Sequence, residues 1–449
     1  MIMNISKTLF KLASSFPVPL YVVGGAVRDF LLGRPVGDID LASSLTPVEV
    51  VSFLRSKMPE YKVDTTSPKL GTLKISSNGE SYEYTCFRMD SYGSDGNHIP
   101  TAVHFVDDIK QDTYRRDFTM NAIYYDIVIK EFIDYSGGIE DLKAKIIKSV
   151  RDPDAVLEED ALRIMRLARF AAILDFEIDE KTFESAKKNV DKLTHIAPER
   201  LREEFDKIIT ADTISPNKTA HVRGIKILHE LGALEYVLPE ILEGINIPQK
   251  KEYHKYDVFN HTLKVFELSP PEVRLAALFH DIAKPIQHKS TGSMNDHDKV
   301  GEEMVVSRMN ALKYPKAMIR NTKLLVRYHM YDLHGKTSDK TLRKFIVKNH
   351  DIIEDLIKLK RADWKGSGVL KGESPSALRL EETYNEMKES KVPFTTKELP
   401  VNGNDLITIG VPPEARGKAL EGLLQIGSYD YKYHSREEAL KFLRNFIHG

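Results

Sequence analysis

Gly24-Gly25-Ala26-Val27-Arg28-Asp29-Phe30-Leu31-Leu32-Gly33, followed by Gly37-Asp38-Ile39-Asp40, is the stretch on which the fold turns. Leu20-Tyr21-Val22-Val23 just ahead reads as a short apolar strand, and residues 26–32 read as a helix closed by Gly33, so the paired glycines fall at a strand-to-helix turn. Backbone amides at such a turn can face phosphate oxygens. Residues 38–41 are expected as a strand, whose period of two puts Asp38 and Asp40 on one face and Ile39 and Leu41 on the other. Two hard oxygen ligands on one side suit Mg²⁺. An Asp-x-Asp alone fits a turn equally well, but behind a glycine turn it points to metal-assisted nucleotide transfer. The chain holds no Gly-x-x-x-x-Gly-Lys-Ser/Thr, so this is not a P-loop.

Working outward, β signals crowd the first third. Segments 72–76 and 81–87 alternate around Asn78-Gly79, a type I′ hairpin signal, and 103–106 and 131–134 add short strands. Beyond Arg151 the pattern turns helical: Asp152-Pro153 reads as an N-cap and first-turn proline that launch one long amphipathic helix through Leu174. At 449 residues the chain exceeds one ordinary core. It lacks a long apolar run and a signal-peptide pattern, and its one cysteine, Cys86, leaves no internal disulfide, as in a reducing cytoplasm.

Lys and Arg number 65 against 66 Asp and Glu, so any nucleic-acid binding must use local patches. Residues 313–348 form one, with Tyr314, Tyr328 and Tyr331 interleaved as rings on which bases can stack; a solvated helix face has the same composition. Two further clusters carry chemistry. Arg115-Arg116-Asp117-Phe118-Thr119-Met120-Asn121-Ala122 sets two guanidiniums beside a carboxylate and an amide, and the guanidinium fork suits a triphosphate. Glu159-Asp160-Ala161-Leu162-Arg163, continuing to Arg166 and Arg169, puts Asp160 and Arg163 on one helix face. That pair can read the hydrogen-bonding edge of a base, or be an ordinary intrahelical salt bridge.

In this order the motifs resemble the class II tRNA nucleotidyltransferases, the CCA-adding enzymes and bacterial poly(A) polymerases. Asp134-Tyr135-Ser136-Gly137-Gly138 with Asp141-Leu142 is similar to the family's third motif, Pro198-Glu199-Arg200 to its fifth, and the segment from Val401 through Gly410 to the bacterial tail. The resemblance implies an α+β multidomain protein: a polymerase-β-like head (1–150), then an all-α neck with the nucleotide-selecting helix (151–215), a body of HD type (216–370) and a tRNA-binding tail (371–449). It implies addition of C, C and A to tRNA 3′ ends from CTP and ATP with release of pyrophosphate. Asp38 and Asp40 would be catalytic and hold two Mg²⁺ ions, with Glu83 a third acidic group. Gly24, Gly25, Arg28, Arg115, Arg116, Asp117, Asn121, Glu159, Asp160, Arg163, Arg166 and Arg169 would bind the nucleotide. Room for a flexible loop within 88–115, with 92–98 mobile by composition, favours full CCA addition over a partial enzyme or a poly(A) polymerase.

His261, His280-Asp281 and Asp363 resemble the metal ligands of the HD phosphohydrolases, with His297 and His329 as further donors. The resemblance implies a second metal site and a hydrolytic activity on phosphorylated RNA ends. A metal-dependent HD phosphohydrolase with a degenerate head is the competing enzyme class, and a non-catalytic RNA-binding protein the competing binding class.

Overall fold

In the computed structural model, which describes residues 2–67, 71–93 and 100–448, the chain divides into two compact units, Met1–Val237 and Leu238–Gly449. The first is built on a seven-stranded sheet of β1 (Tyr21–Val23), β2 (Asp40–Ser43), β3 (Lys62–Ser67), β4 (Thr72–Ser77), β5 (Glu80–Cys86), β8 (Tyr124–Asp126) and β9 (Phe132–Ile133), in the order β3-β4-β5-β2-β1-β8-β9. β6 (Arg88–Ser91) and β7 (Ala102–Phe105) pair separately. Every contact in the large sheet is antiparallel except β2 with β5. Tyr84, Tyr124 and Tyr125, all fully buried, form its aromatic centre. The hairpin at Asn78-Gly79 is as expected, with φ of 51° and 79°, the double positive φ of a type I′ turn.

Helices Pro153–Glu159, Leu162–Leu174, Pro198–Ile209 and Ala220–Glu230 complete this unit. The expected single helix to Leu174 is instead two, broken at Asp160 with φ −147° and ψ 96°. Asp160 accepts from the Leu162 amide at 3.0 Å, and the Val156 carbonyl, which a continuous helix would bond to the Asp160 amide, accepts from the Arg163 guanidinium at 3.0 Å. Asp160 therefore stands in the break, ahead of the helix that carries Arg163.

The expected strand over 38–41 also begins later, at Asp40. Its neighbours explain this: Asp40 pairs with Val23 of β1 and Glu83 of β5, and β1 stops there because Gly24, at φ 77°, turns the chain away. Asp38 sits exposed in the preceding bend. Of the expected mobile loop, residues 94–98 lie outside the described residues; around them stand β6, β7 and the helix Ile109–Tyr114.

The second unit is helical. Val258–Leu268, Arg274–Phe279, Lys284–Thr291, His297–Ala311, Lys316–Tyr328 and Ile353–Gly366 surround its main core, and Val401, Leu406, Leu423 and Leu443 build a further apolar cluster near its end. No described helix is long and apolar enough to cross a membrane.

Candidate functional site

A cavity of about 1320 Å³ in the first unit gathers most of the nucleotide-binding candidates: Gly24, Gly25, Arg28, Asp40, Arg115, Arg116, Asp117, Asn121, Asp160, Arg163, Arg166 and Arg169 line it. A continuous set of hydrogen bonds runs through three of the motifs. Arg28 Nη1 donates to Asn121 Oδ1 at 2.9 Å, Asn121 Nδ2 to Asp117 Oδ1 at 3.1 Å, and Arg166 Nε and Nη2 to Asp117 Oδ2 at 2.9 and 2.6 Å. The guanidiniums of Arg28, Arg166 and Arg169 stand 5.2, 5.3 and 4.4 Å from the Phe170 ring. Burial pushes the Asp117 carboxyl up, but Arg166 beside it outweighs that and holds it well below the usual range. Asp117 therefore acts as a charged anchor for arginines.

Arg163 is 5% exposed, and its Nη2 donates to the Arg115 carbonyl at 2.7 Å while Nη1 takes the Val156 carbonyl. Its Nε lies 3.8 Å from Asp160 Oδ2, so the two remain neighbours across the helix break. Glu159 pairs with Arg151 and is 3.7 Å from Arg163.

At the phosphate end, Asp40 faces Glu83 across the β2–β5 pairing. Burial, then the Glu83 charge, lifts the Asp40 carboxyl to about 6, Asp38 adding to the rise and Arg116 opposing it. The charges of Glu83 and Asp38 pressing on a largely buried Asp40 at the start of β2 are what a divalent cation would relieve, and carboxylate oxygens suit a hard metal ion. A Cβ on Gly24 would come within 3.6 Å of Asp40 Oδ2 and 3.9 Å of Arg116 Nη1, which keeps the turn close over this cluster.

Two supports went unread in the sequence. Asp112, fully buried, accepts from Arg115 Nε at 2.6 Å, Arg116 Nη2 at 3.0 Å and the Tyr124 hydroxyl at 2.5 Å. Burial raises its carboxyl, yet the two arginines outweigh this and hold it ionised. Its spacing of three and four residues from those arginines on a helix is a signal the sequence carries. Glu204, on the helix that Pro198 opens, is also buried and lies 3.1 Å from Arg169 Nε. Only tertiary contact reveals that pair. The third motif is a structural clamp: the Asp134 carboxylate accepts from the amides of Ser136, Gly137, Gly138 and Ile139 at 2.8–3.1 Å, and Asp141 takes the Thr119 hydroxyl at 2.7 Å.

The second unit brings together all of its candidate ligands. His261, His280, His297 and His329 are buried, as is Asp281, and Asp363 is close by. Each imidazole has Nδ1 on a backbone carbonyl: Gly366 at 3.2 Å, Ala277 at 2.7 Å, Met294 at 2.7 Å and Val326 at 2.6 Å, respectively. A carbonyl only accepts, so Nδ1 carries a proton and the neutral form of each ring directs its Nε2 lone pair inward, the tautomer a metal requires. Both Asp281 oxygens are buried without a partner in hydrogen-bonding geometry, although Lys284 Nζ stands 2.7 Å from one. Histidines aiming lone pairs at an orphaned carboxylate fit a metal centre. It opens on a cavity of about 990 Å³.

The basic stretch 313–348 is not a stacking platform. Tyr314 is 5% exposed and the Tyr331 ring stacks on Phe345 at 3.8 Å, with Tyr328 edge-on to the same ring at 5.0 Å. Arg320, Lys323, Arg327 and Arg343 are ion-paired with carboxylates. The rings pack between helices because an apolar ring gains more from burial than from water contact.

Residues 20–148 match the model of the poly A polymerase head domain, residues 175–244 that of a probable RNA and SrmB- binding site of polymerase A, and residues 253–364 that of the HD domain. The CCA-adding enzyme of Geobacillus sp. (strain WCH70) is 42% identical over 217 residues, 48% of this chain and 50% of that protein. That of Staphylococcus aureus (strain MSSA476) is 28% identical over 395 residues, 86% of this chain and 83% of that protein. The chain spans about half the length of the Geobacillus relative it matches. Among solved structures, the Bacillus stearothermophilus CCA-adding enzyme in complex with CTP superposes at a TM-score of 0.67 and 24% identity, covering 98% of this chain and 96% of that one. The fold is thus that of these enzymes.

Proposed function

We infer that this chain, which belongs to the class II CCA-adding enzyme family, adds C, C and A to the 3′ end of tRNA from CTP and ATP and releases pyrophosphate. The observation that carries the reading is the convergence of Asp40 and the Arg28–Asn121–Asp117–Arg166 hydrogen bonds on one cavity with Asp160 and Arg163. Its solved relatives include CCA-adding enzymes with ATP and, from Thermotoga maritima, with tRNA, the same ligands assigned to this chain.

Asp38 and Asp40 would hold two Mg²⁺ ions, which when bound supply activation of the primer hydroxyl and neutralise the departing pyrophosphate. The chain's own groups do the rest. The Gly24-Gly25 turn and the outward donors of Arg115 and Arg116 receive phosphate oxygens, Asp112 keeping both guanidiniums aimed. Asp117 positions Arg28 and Arg166. Asp160 accepts from the exocyclic amino group that cytosine and adenine share, and Arg163, steadied by two backbone carbonyls, donates to the adjoining ring positions. Four regions divide this labour: head 1–150, neck 151–215, body 216–370 and a tail, 371–449, that grips tRNA. The bacterial cytoplasm, where tRNA matures, is the compartment.

Purified protein incubated with tRNA ending at the discriminator base, at C or at CC, with CTP and ATP singly and together, tests this. Extension to CCA is expected. Extension stopping at CC would make it a partial enzyme, and none on any primer would sink the transferase reading.

The buried His/Asp centre favours a second activity, hydrolysis of phosphate esters at RNA ends. Its test is release of phosphate from 3′-phosphorylated oligonucleotides in the presence of Mn²⁺.

A further inference from the structure

Phe170 stands in the helix Leu162–Leu174 with Arg169 beside it and Arg166 one turn before it, and Arg28 reaches it from the helix Gly25–Leu31. The guanidinium carbons of Arg28, Arg166 and Arg169 lie 5.2, 5.3 and 4.4 Å from its ring centroid. All three are within the distance at which the negative face of an aromatic ring attracts a cation. The ring is 7% exposed and meets the fully buried Phe118 edge-to-face, centroids 6.0 Å apart and planes at 88°, so its plane is fixed by packing.

Each arginine also has its own polar anchor. Asp29 accepts from Arg28 Nε and Nη2 at 2.9 and 3.0 Å, Asp117 holds Arg166, and Glu204 lies beside Arg169. These carboxylates come from three separate segments, and what the guanidiniums share is the ring. Like charges so close repel: burial and then the Arg166 charge push the Arg169 guanidinium down to about 10, with Glu204 opposing. An aliphatic side chain of similar volume would fill the same space without relieving that repulsion, because it carries no quadrupole. Phe170 and its three arginines all line the cavity of the first unit.

We propose that Phe170 is a positioning residue for the incoming nucleotide: its ring gathers Arg28, Arg166 and Arg169 into one preassembled site for the triphosphate. This rests on the transferase reading and adds to it a residue with no polar atom in its side chain. Assembly before binding spares the nucleotide the cost of ordering the arginines, so the ring acts on affinity. Asp160 and Arg163 choose the base; the ring serves the part that CTP and ATP share.

The test replaces Phe170 in the full chain with mono-, di- and trifluorinated phenylalanine, which draw charge from the ring face in steps at nearly constant shape. Affinity for CTP and for ATP in Mg²⁺ is read by isothermal titration, and KM and kcat by extension of tRNA ending at the discriminator base or at CC. Affinity should fall with each fluorine, by about three- to tenfold for the trifluorinated ring, with KM rising in step and kcat nearly constant. The factor should be the same for CTP and ATP. Phe170→Leu, which keeps the apolar bulk, should lose at least as much, and the fluorine series decides the matter even where that variant is unstable. Affinity indifferent to fluorine, or unequal factors for the two nucleotides, would overturn the proposal. Fluorine-dependent CTP binding by a protein that extends no primer would support the site and refute the transferase reading; extension with fluorine-independent affinity would do the reverse.

Discussion

The two centres solve opposite electrostatic problems. In the first unit the cavity is rich in arginine, and its carboxylates Asp112, Asp117 and Glu204 are already spent on holding guanidiniums in place. In the second, imidazole lone pairs converge on an orphaned carboxylate. One is organised to receive a highly charged anion, the other a cation. Where a site's charges are paired within the protein, the geometry survives without ligand; where several donors crowd on one carboxylate, as the histidines do on Asp281, the ligand completes the structure.

The largest effects should separate the two centres. Asp38→Ala is expected to lower tRNA extension by more than about 10³-fold, since several kcal/mol of transition-state charge stabilisation are lost, and to leave phosphate release intact. His280→Ala should do the reverse; loss of both activities in either variant would break the separation. Next, Asp112→Asn leaves two guanidiniums partly unpaired in the interior and should destabilise the first unit by about 3–5 kcal/mol, read from the denaturant midpoint. A neutral outcome would show that the arginines are not held by that charge.

Smaller again is Gly138→Ala. Its Cβ would meet the Thr119 carbonyl oxygen at 2.2 Å, and the shift required should cost about 1–3 kcal/mol in the same measurement. The mildest prediction concerns pH. Asp40, lifted to about 6, is protonated below that value and must lose the proton to bind metal. Mn²⁺ affinity of the first unit, measured in a His280→Ala, His297→Ala background, should therefore fall by about tenfold per pH unit below 6 and level off above it. A flat profile from pH 5 to 7 would show that burial and the charges of Glu83 and Asp38 do not together lift Asp40.

Legibility in the sequence follows contact distance along the chain. The Asn78-Gly79 hairpin, the Gly24 turn and the short strands were readable because each is decided by residues a few positions apart. So was the list of candidate ligands in the second unit, from residue type alone. The Asp160 break was not, because it depends on an Arg163 guanidinium replacing a backbone amide at the Val156 carbonyl. The late start of β2 was missed for a similar reason: strand length is set by partners at Val23 and Glu83, not by the alternation of its own residues. The aromatic stretch 313–348 stayed open between a stacking surface and a solvated face because composition does not say which side of a helix meets another.

Sequence alone settled which chemistries the chain can hold, since glycine, arginine, aspartate and histidine at those spacings admit few others, and it carried the resemblance to the CCA-adding enzymes. How the groups are paired belonged to the fold. Asp112 with its two arginines, Glu204 with Arg169, and the gathering of the histidines around Asp281 are fixed by helices and strands far apart in the chain. A residue's type limits the bonds it can make, but only packing decides which partner lies within 3–4 Å, and Coulomb and hydrogen-bond energies turn on that distance.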